Sequence, residues 1–287
     1  MTTTTSLEEI PTLSLLYKLK KIVPKEEQSS FEPSAALNDK ISIIRQDITT
    51  LAIDAIVNAA NTSLLGGGGV DGAIHRAAGP ELIEECETLD GCETGSAKIT
   101  KAYELPSKKV IHAVGPIYWK EGAARSAELL SGCYRKSLEL AAENECRTIA
   151  FSALSTGVYG YPSHEASYAA LETVRKFLVE EGNAEKLDRV IFCNFLQKDE
   201  DAYFEQVPDY FPPVPETEAQ KEHATELSEL ASQLPDAPTA DPKDEDEAEQ
   251  PSPKKQKTAE ADEDDFVMVE KDDLKDDPKD DKAKPKS

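Results

Sequence analysis

Four consecutive glycines, at positions 66 to 69, are the segment of this 287-residue sequence with the most recognisable chemistry. Glycine has no Cβ, so a run of glycines lets several backbone N–H groups converge on one point. Such a concavity binds anions, phosphate above all, and more so where a helix begins directly after it. The helix predicted over 70–78 begins there. The run therefore predicts a phosphorylated, nucleotide-like ligand, bound by Gly67, Gly68, Gly69 and Val70.

A carboxylate and an imidazole follow the glycines. Asp71 and His75 are four residues apart, so a helix places them on one face. The helix dipole favours the ionised form of Asp71, and an ionised carboxylate can orient or deprotonate a water molecule. The alternative is that Asp71 only caps the helix. For His75, a structural or orienting role is favoured over proton transfer.

Two asparagines follow a strand predicted over 53–58. The amides of Asn58 and Asn61 could bind ribose hydroxyls or hold the loop through its backbone. Both roles stay open, with ligand contact favoured for Asn61.

A second loop of small residues precedes a helix predicted over 163–181, with Ser163 as its N-cap. Its N–H groups could close the opposite side of a diphosphate, or the loop could be a turn that binds nothing. The residues predicted to bind the ligand are Ser155, Thr156, Gly157, Val158 and Tyr159.

Two further residues lie at or just after the ends of predicted strands. Asp47 could accept a hydrogen bond from an exocyclic amine such as that of adenine, or it could be a solvated turn residue. Phe195 could stack on a base or belong to the core.

The elements that must position these residues alternate between strand and helix. Strands are predicted over 41–45, 53–58, 97–103, 109–114, 148–153 and 189–195, and helices over 70–78, 80–89, 123–144, 163–181 and 199–206. This alternation predicts an α/β fold of three layers, with helices on both faces of a mixed, mostly parallel sheet. Ligands of such sheets bind outside the carboxyl ends of the strands, where the candidate loops lie.

Charge divides the chain. Residues 211–287 hold 24 acidic and 11 basic side chains, a net charge of −13 out of −24, so residues 1–210 carry the remaining −11. The predicted organisation is an extension with a short helix over 1–37, one domain over 38–210 and a disordered acidic tail over 211–287. The extension's basic amphipathic helix, predicted over 13–23, is expected to dock on the domain.

Several function classes are disfavoured. An acidic domain argues against direct nucleic-acid binding, and the sequence has neither an 18-residue apolar run nor a secretory signal. Five scattered cysteines are typical of free thiols in a reducing compartment and match no zinc pattern, so neither metal nor cofactor is expected. A dinucleotide-binding fingerprint would follow its strand directly, whereas 59–65 separate this strand from the glycines. A Walker A loop would need a lysine after them.

Six segments together resemble the macrodomain family, and most closely its MacroD-type branch. They are Asn-Ala-Ala-Asn at 58–61, the glycine segment at 64–72, and the segments 74–80, 94–100, 110–116 and 155–162. The resemblance implies binding of ADP-ribose, removal of mono-ADP-ribose from acidic side chains of modified proteins, and deacetylation of O-acetyl-ADP-ribose. A reader that binds ADP-ribosyl groups without cleaving them is the alternative.

The resemblance also implies roles for residues. Asp47 and Ile48 would contact adenine with Phe195 stacking nearby, the two loops would cradle the diphosphate, and three residues would surround the distal ribose: Asn61, Asp71 and His75. This last group favours a hydrolase, because a reader needs only the cradle. Gln46 stands where the family usually has glycine.

Two short motifs lie in the acidic tail. The basic island at 251–257 resembles a nuclear-localisation signal, which gives an expectation of nuclear and cytoplasmic location. The apolar residues 266–269, flanked by acidic ones, resemble a SUMO-interacting motif and could add as a strand to a partner's sheet.

Overall fold

The computed structural model of the protein describes residues 3–24 and 29–215. Predictions about 216–287, including the disorder of the tail, the basic island and the SUMO-like motif, lie outside the described residues.

One sheet of six strands forms the centre of the fold, in the spatial order β2-β8-β7-β4-β6-β5. Its strands are β2 (Ile41–Arg45), β4 (Ala55–Ala60), β5 (Ala97–Lys101), β6 (Lys109–Val114), β7 (Thr148–Phe151) and β8 (Arg189–Asn194). All neighbours are parallel except β5, which runs antiparallel to β6 at the edge. The mixed, mostly parallel sheet predicted from the sequence is confirmed.

Helices cover both faces of this sheet. The helices are α1 (Leu13–Lys18), α2 (Ala35–Asn38), α3 (Gly69–Ala78), α4 (Pro80–Glu87), α5 (Tyr118–Glu121), α6 (Ala123–Glu143), α7 (Ser163–Val179) and α8 (Gln197–Tyr210). Buried side chains of α1, α6, α7 and α8 pack together in one core, and those of α3 and α4 pack in a second. The three-layer prediction is therefore confirmed.

Strand β4 shows how one segment supplies both cores. Side chains alternate along a strand, so Ala55 and Val57 enter the core of α6 and α7, whereas Ile56 and Ala60 enter the core of α3. Asn58 has the same parity as Ile56 and therefore points towards α3. A polar residue is thus placed under the helix that carries Asp71.

Some element boundaries differ from the predicted ones. Strand β4 covers 55–60 and not 53–58, so Asn58 lies inside the strand and not after it. Helix α1 ends at Lys18 instead of residue 23. Ser163 is the first residue of α7 and not its cap, and its hydroxyl donates to Asp199 Oδ1 at 2.6 Å.

Described residues before position 38 pack on the sheet domain. The short strands β1 (Thr5–Ser6) and β3 (Leu51–Ala52) pair in parallel. Leu13 and Leu16 of α1 lie in the core of α6 and α7, which agrees with the predicted docking of this helix, and Phe211 is fully buried in the same core. No helix among the described residues is long and apolar enough to cross a membrane.

Candidate active site

The candidate loops meet at one edge of the sheet. Strand β4 lies between β6 and β7 and runs parallel to both, so the three strands end at the same edge. The loop after β4 carries the glycines, and the loop after β7 carries Ser155 to Tyr159. This is the edge at which open α/β sheets bind their ligands.

The glycine loop leads into an open helix N-terminus. Helix α3 begins at Gly69, and its N-cap, Gly68, provides no side-chain hydrogen bond. A methyl group on Gly68 or Gly69 would meet nothing within 4 Å, so the loop faces open space there. The first N–H groups of a helix have no partner inside the helix, and this end therefore suits an anion.

Two glycines outside the run allow close backbone approach. A Cβ at Gly72 would lie 2.4 Å from the carbonyl oxygen of Gly67, and one at Gly115 would lie 2.1 Å from Ser155 Oγ. Both contacts are far below van der Waals distance. Gly72 therefore lets the glycine loop fold back on α3, and Gly115 lets the second loop approach the end of β6.

Asp71 is buried beneath the glycine loop, and its two oxygens have different neighbours. Oδ1 accepts a hydrogen bond from Asn58 Nδ2 at 2.7 Å and lies 3.4 Å from His75 Nε2. Oδ2 faces the loop, since a Cβ on Gly67 would lie 3.2 Å from it. The carboxylate is thus fixed through one oxygen, and the other is directed to the side where a ligand would sit.

Burial shifts the pKa of Asp71. Desolvation raises the pKa of its carboxyl above 3.8, against the opposing effects of the Asn58 hydrogen bond and the His75 charge. The prediction that Asp71 is ionised stays a prediction. The capping alternative is wrong, because Asp71 Oδ1 accepts its hydrogen bond from Asn58 Nδ2 and α3 has no side-chain cap.

Asn58 requires a correction as a ligand-binding residue. Its side chain is fully buried, and its amide nitrogen lies 2.7 Å from Asp71 Oδ1 and 3.1 Å from His112 Nδ1. No ligand in the cleft could reach it in this conformation. Because β4 includes residue 58, Asn58 acts on Asp71 from inside the core.

His112 continues this buried chain of polar groups. Its Nε2 lies 3.0 Å from Thr100 Oγ1, and desolvation together with the His75 charge lowers its pKa to about 3. A neutral imidazole that accepts the Asn58 N–H at Nδ1 carries its proton on Nε2 and donates it to Thr100. His112 therefore fixes the orientation of the Asn58 amide.

His75 and Asn61 shape the loop next to Asp71. A Cβ on Gly66 would lie 3.5 Å from the His75 ring, so the imidazole supports the loop from below. Asn61 Nδ2 donates to the carbonyl oxygen of Gly66 at 2.7 Å, and Asn61 Oδ1 accepts from Ser63 N at 2.9 Å. The amide of Asn61 therefore holds its own loop. Its Nδ2 also lies close to Gly67, since a Cβ on Gly67 would be 3.3 Å from that nitrogen.

The second loop faces Asp71 across the cleft. Burial and the Asp71 charge both raise the pKa of the Tyr159 hydroxyl. Ser155 has a left-handed backbone (φ +64°), and its Oγ is buried without a hydrogen-bond partner among the described residues. The carbonyl oxygen of Thr156 accepts a hydrogen bond from Lys198 Nζ at 3.1 Å. Gly157 and Val158 are exposed.

The predicted adenine end is formed by residues after β2 and β8. Asp47 Oδ1 accepts hydrogen bonds from Thr49 N at 2.9 Å and Thr49 Oγ1 at 2.7 Å, so it closes a turn while remaining exposed. The side chain of Ile48 is buried in the core of α3, which leaves only its backbone for a ligand. Phe195 is 74% exposed, so the core alternative for it is wrong.

The side chain of Gln46 contacts the N-terminal segment. Its Nε2 donates to Thr50 Oγ1 at 2.9 Å and to Thr5 Oγ1. Thr5 lies in β1, so this amide helps to attach β1 to the domain.

The sequence of this chain is similar to proteins of one known family. The Macro domain family matches residues 57–170. ADP-ribose glycohydrolase MACROD1 of Rattus norvegicus is 53% identical over 193 residues, 67% of this chain and 74% of the relative. The chain belongs to the macro domain family.

Two further proteins place this macro domain among its relatives. ADP-ribose glycohydrolase MACROD2 of Xenopus laevis is 52% identical over 207 residues, which are 72% of this chain but only 49% of the relative. The chain thus spans about half the length of that relative. A crystal structure of the Trypanosoma brucei macrodomain in complex with ADP-ribose is 40% identical with a TM-score of 0.61, covering 72% of this chain and 78% of that one.

One group of potential metal ligands lies inside this macro domain. Donor atoms of His75, Cys86 and His112 lie within 4.8 Å of one another. Burial raises the pKa of the Cys86 thiol to about 11, and metals bind the thiolate. The expectation of no metal stays a prediction.

Sequence reasoning missed several residues of the site. His112 and Thr100 lie on β6 and β5, and His112 contacts Asn58 and lies near His75, both of them distant from it in sequence, so local spacing contains no signal for them. Lys198 lies near the start of α8 and brings a cation to the second loop. A lysine shortly after the final strand of an otherwise acidic domain was the available signal.

Proposed function

We propose that this macro domain binds ADP-ribose and hydrolyses mono-ADP-ribose from acidic side chains of modified proteins. The observation that carries the proposal is Asp71, a buried carboxylate held through Oδ1 with Oδ2 directed to the glycine loop. The names of the MACROD relatives and the ADP-ribose complex of the T. brucei macrodomain support it.

Binding begins with the diphosphate. The open N-terminus of α3 and the backbone of residues 67–69 hold one side of it, and residues 155–159 hold the other. The cation of Lys198, bonded to the carbonyl of Thr156, lowers the cost of bringing a dianion into an acidic domain. Phe195 stacks on the adenine, and Asp47 with the Ile48 backbone receives its edge.

The reaction is the addition of water across an ester. The substrate's distal ribose carries at C1″ the carboxylate oxygen of a protein Asp or Glu. A water molecule held between Asp71 Oδ2 and a ligand phosphate attacks C1″, the bond from C1″ to the carboxylate breaks, and the water's proton passes to Asp71 and then to solvent. The modified side chain leaves as a carboxylate, and ADP-ribose gains the hydroxyl.

Two physical effects favour this step. The raised pKa of Asp71 makes it a better proton acceptor than an exposed aspartate. The preformed loops hold the ester and the water in the orientation that the reaction needs, which lowers the entropic part of the barrier. O-acetyl-ADP-ribose carries its ester on a hydroxyl of the same distal ribose, so there the water attacks the acetyl carbonyl carbon and the bond from that carbon to the ribose oxygen breaks. Acetate leaves, one proton of the water restores the ribose hydroxyl, and the other passes through Asp71 to solvent. We therefore include its deacetylation in the proposal.

The test measures release of ADP-ribose from a protein automodified on acidic side chains, at catalytic concentrations of the full chain. Wild type is expected to turn over many equivalents, and Asp71→Ala to lose at least about 100-fold in rate while still binding ADP-ribose in a calorimetric titration. Equal rates for the two proteins would remove Asp71 from the mechanism.

The reader alternative gives a different outcome. A reader would bind the modified protein and free ADP-ribose with no turnover by wild type. No heat with ADP-ribose at millimolar concentration would reject both functions. Tail-mediated binding of SUMO and nuclear and cytoplasmic location stay further proposals, supported only by the motifs at 266–269 and 251–257.

A further inference from the structure

The short helix α5 is fixed against the second loop. Tyr118 N donates to the carbonyl oxygen of Tyr159 at 3.0 Å, and the Tyr118 hydroxyl donates to Glu165 Oε2 at 2.6 Å. The Tyr118 and Tyr161 rings lie 4.7 Å apart between centroids. These contacts hold α5 at both its backbone and its first side chain, so its next residue has a defined position.

That next residue is Trp119, the only tryptophan of the chain. A Cβ on Gly160 would lie 3.2 Å from both Cε3 and Cζ3 of its indole, and Gly160 has a left-handed backbone (φ +65°). The indole therefore packs on a backbone segment that only glycine suits. The residue is nevertheless 69% exposed, and Val158, in the same loop, is 86% exposed.

These two exposed apolar residues, Trp119 and Val158, lie beside the candidate active site and are called its rim. Gly160 is the direct neighbour of Tyr159, whose hydroxyl is affected by the charge of Asp71. Val158 belongs to the stretch proposed to hold the diphosphate. The exposed side chains of Trp119 and Val158 therefore lie next to the residues proposed to line the cleft.

Charge indicates what kind of contact this rim makes. Residues 1–210 carry a net charge of −11, and the ADP-ribosyl group of the proposed substrate carries the negative charge of its diphosphate. Long-range electrostatics therefore does not favour this encounter. An exposed tryptophan held in place by its neighbours is typical of an interface anchor, because its large rigid surface gains binding energy at small entropic cost.

We infer that Trp119, with Val158, contacts the polypeptide that carries the ADP-ribosyl group and so favours protein-linked esters over small-molecule esters. This inference rests on the proposed function. ADP-ribose itself is held inside the cleft and does not need the rim, whereas the polypeptide leaves the cleft at its mouth and has to pass it.

The test compares three measurements on the full chain with and without Trp119→Ala. They are kcat/KM for a mono-ADP-ribosylated protein, kcat/KM for O-acetyl-ADP-ribose, and the Kd of ADP-ribose. We expect the first to fall about five- to tenfold, mainly through KM, and the other two to stay within about twofold of wild type. Trp119→Phe should recover most of the loss, and Leu19→Ala, at an exposed apolar residue just after α1, should have no effect.

Two outcomes would overturn the inference. Equal losses on the protein and on O-acetyl-ADP-ribose would mean that Trp119 acts through the second loop and not on the polypeptide. Unchanged kinetics on the modified protein would mean that the rim makes no energetic contact.

Failure of the proposed function would look different, since wild type would then turn over neither substrate. Binding would still decide the role of Trp119 in that case. Weaker affinity of Trp119→Ala for the modified protein, with unchanged affinity for free ADP-ribose, would support the contact, and equal affinities would reject it.

Discussion

Asn58 Nδ2 donates a hydrogen bond of 2.7 Å to Asp71 Oδ1, linking the middle of β4 to the first turn of α3. The bond exists because residue 58 shares the parity of Ile56 and so points to the α3 face of the sheet. Among the described residues, the only other polar side-chain atom near Asp71 Oδ1 is His75 Nε2, and it is farther away, at 3.4 Å. The bond from Asn58 therefore fixes the carboxylate. The position of the proposed catalytic carboxylate therefore depends on a residue that no ligand touches.

Removing this bond should change the titration of Asp71. Its contribution is to lower the pKa of that carboxyl, so Asn58→Ala should raise the pKa and move the acidic limb of the pH–rate profile to higher pH. The buried acceptor would also lose its partner, which should cost about 2 kcal/mol of stability. Rates across pH and urea unfolding check both effects. A lower stability with an unmoved acidic limb would indicate a purely structural role.

The pH dependence of the wild type tests Asp71 itself. Only the ionised carboxylate accepts a proton from water, so kcat/KM should fall as the pH drops through a pKa that burial has raised above 3.8. Asp71→Asn should be nearly inactive and show no such limb. The same substitution should raise the melting temperature, because it removes a buried charge whose desolvation opposes folding. A variant that is inactive and less stable would contradict this account of the burial.

The sequence contained enough information for the layers of the fold and for the two loops. Alternating strands and helices, and the glycine run at the end of a strand, are local patterns, and local patterns predict elements and the edge where they meet. The position at which β4 ends was not set by a local pattern. The two-residue shift from 53–58 to 55–60 moved Asn58 from the cleft into the core, and apolar residues on both sides of it made the boundary ambiguous.

The buried polar residues behind Asp71 could not be read from spacing. His112 on β6 contacts Asn58 on β4, and Asn58 contacts Asp71 on α3. The low pKa of His112 arises from burial that only the packed structure creates. The same holds for Trp119, whose position depends on a glycine 41 residues later. The sequence identifies residues that act through neighbours in the chain and misses those that act through neighbours in space.

Gly72 should be necessary for the shape of the glycine loop. A Cβ at this position would lie 2.4 Å from the Gly67 carbonyl oxygen, whereas a Cβ at Gly68 would meet nothing within 4 Å. Gly72→Ala should therefore lose about 1 to 3 kcal/mol of stability and bind ADP-ribose more weakly. Gly68→Ala should keep wild-type stability and lose affinity alone, because its methyl group projects into the cleft.

Melting curves with and without ADP-ribose separate these two glycine variants. Equal stability of Gly72→Ala and wild type would show that the loop relaxes at no cost. Wild-type affinity of Gly68→Ala would place the ligand away from the open side of the loop.

His112 should make the stability of the protein depend on pH. Its pKa is about 3 in the folded state against 6.5 for an ordinary histidine, so between these values the unfolded state binds a proton that the folded state does not. The contribution of His112 to the free energy of unfolding is full above pH 6.5. It declines as the pH falls, by at most about 1.4 kcal/mol per pH unit. His112→Gln keeps a polar side chain and removes the titration.

The stability gap between wild type and His112→Gln is the quantity to measure, since other acidic groups titrate in both proteins. The variant should be less stable at pH 7, because the contacts to Asn58 and Thr100 are altered. The gap should narrow by about 2 kcal/mol between pH 6.5 and pH 5, as seen by urea unfolding at each pH. Parallel curves would mean that His112 takes up its proton in the folded state, and its neutral, Asn58-accepting role would then be wrong.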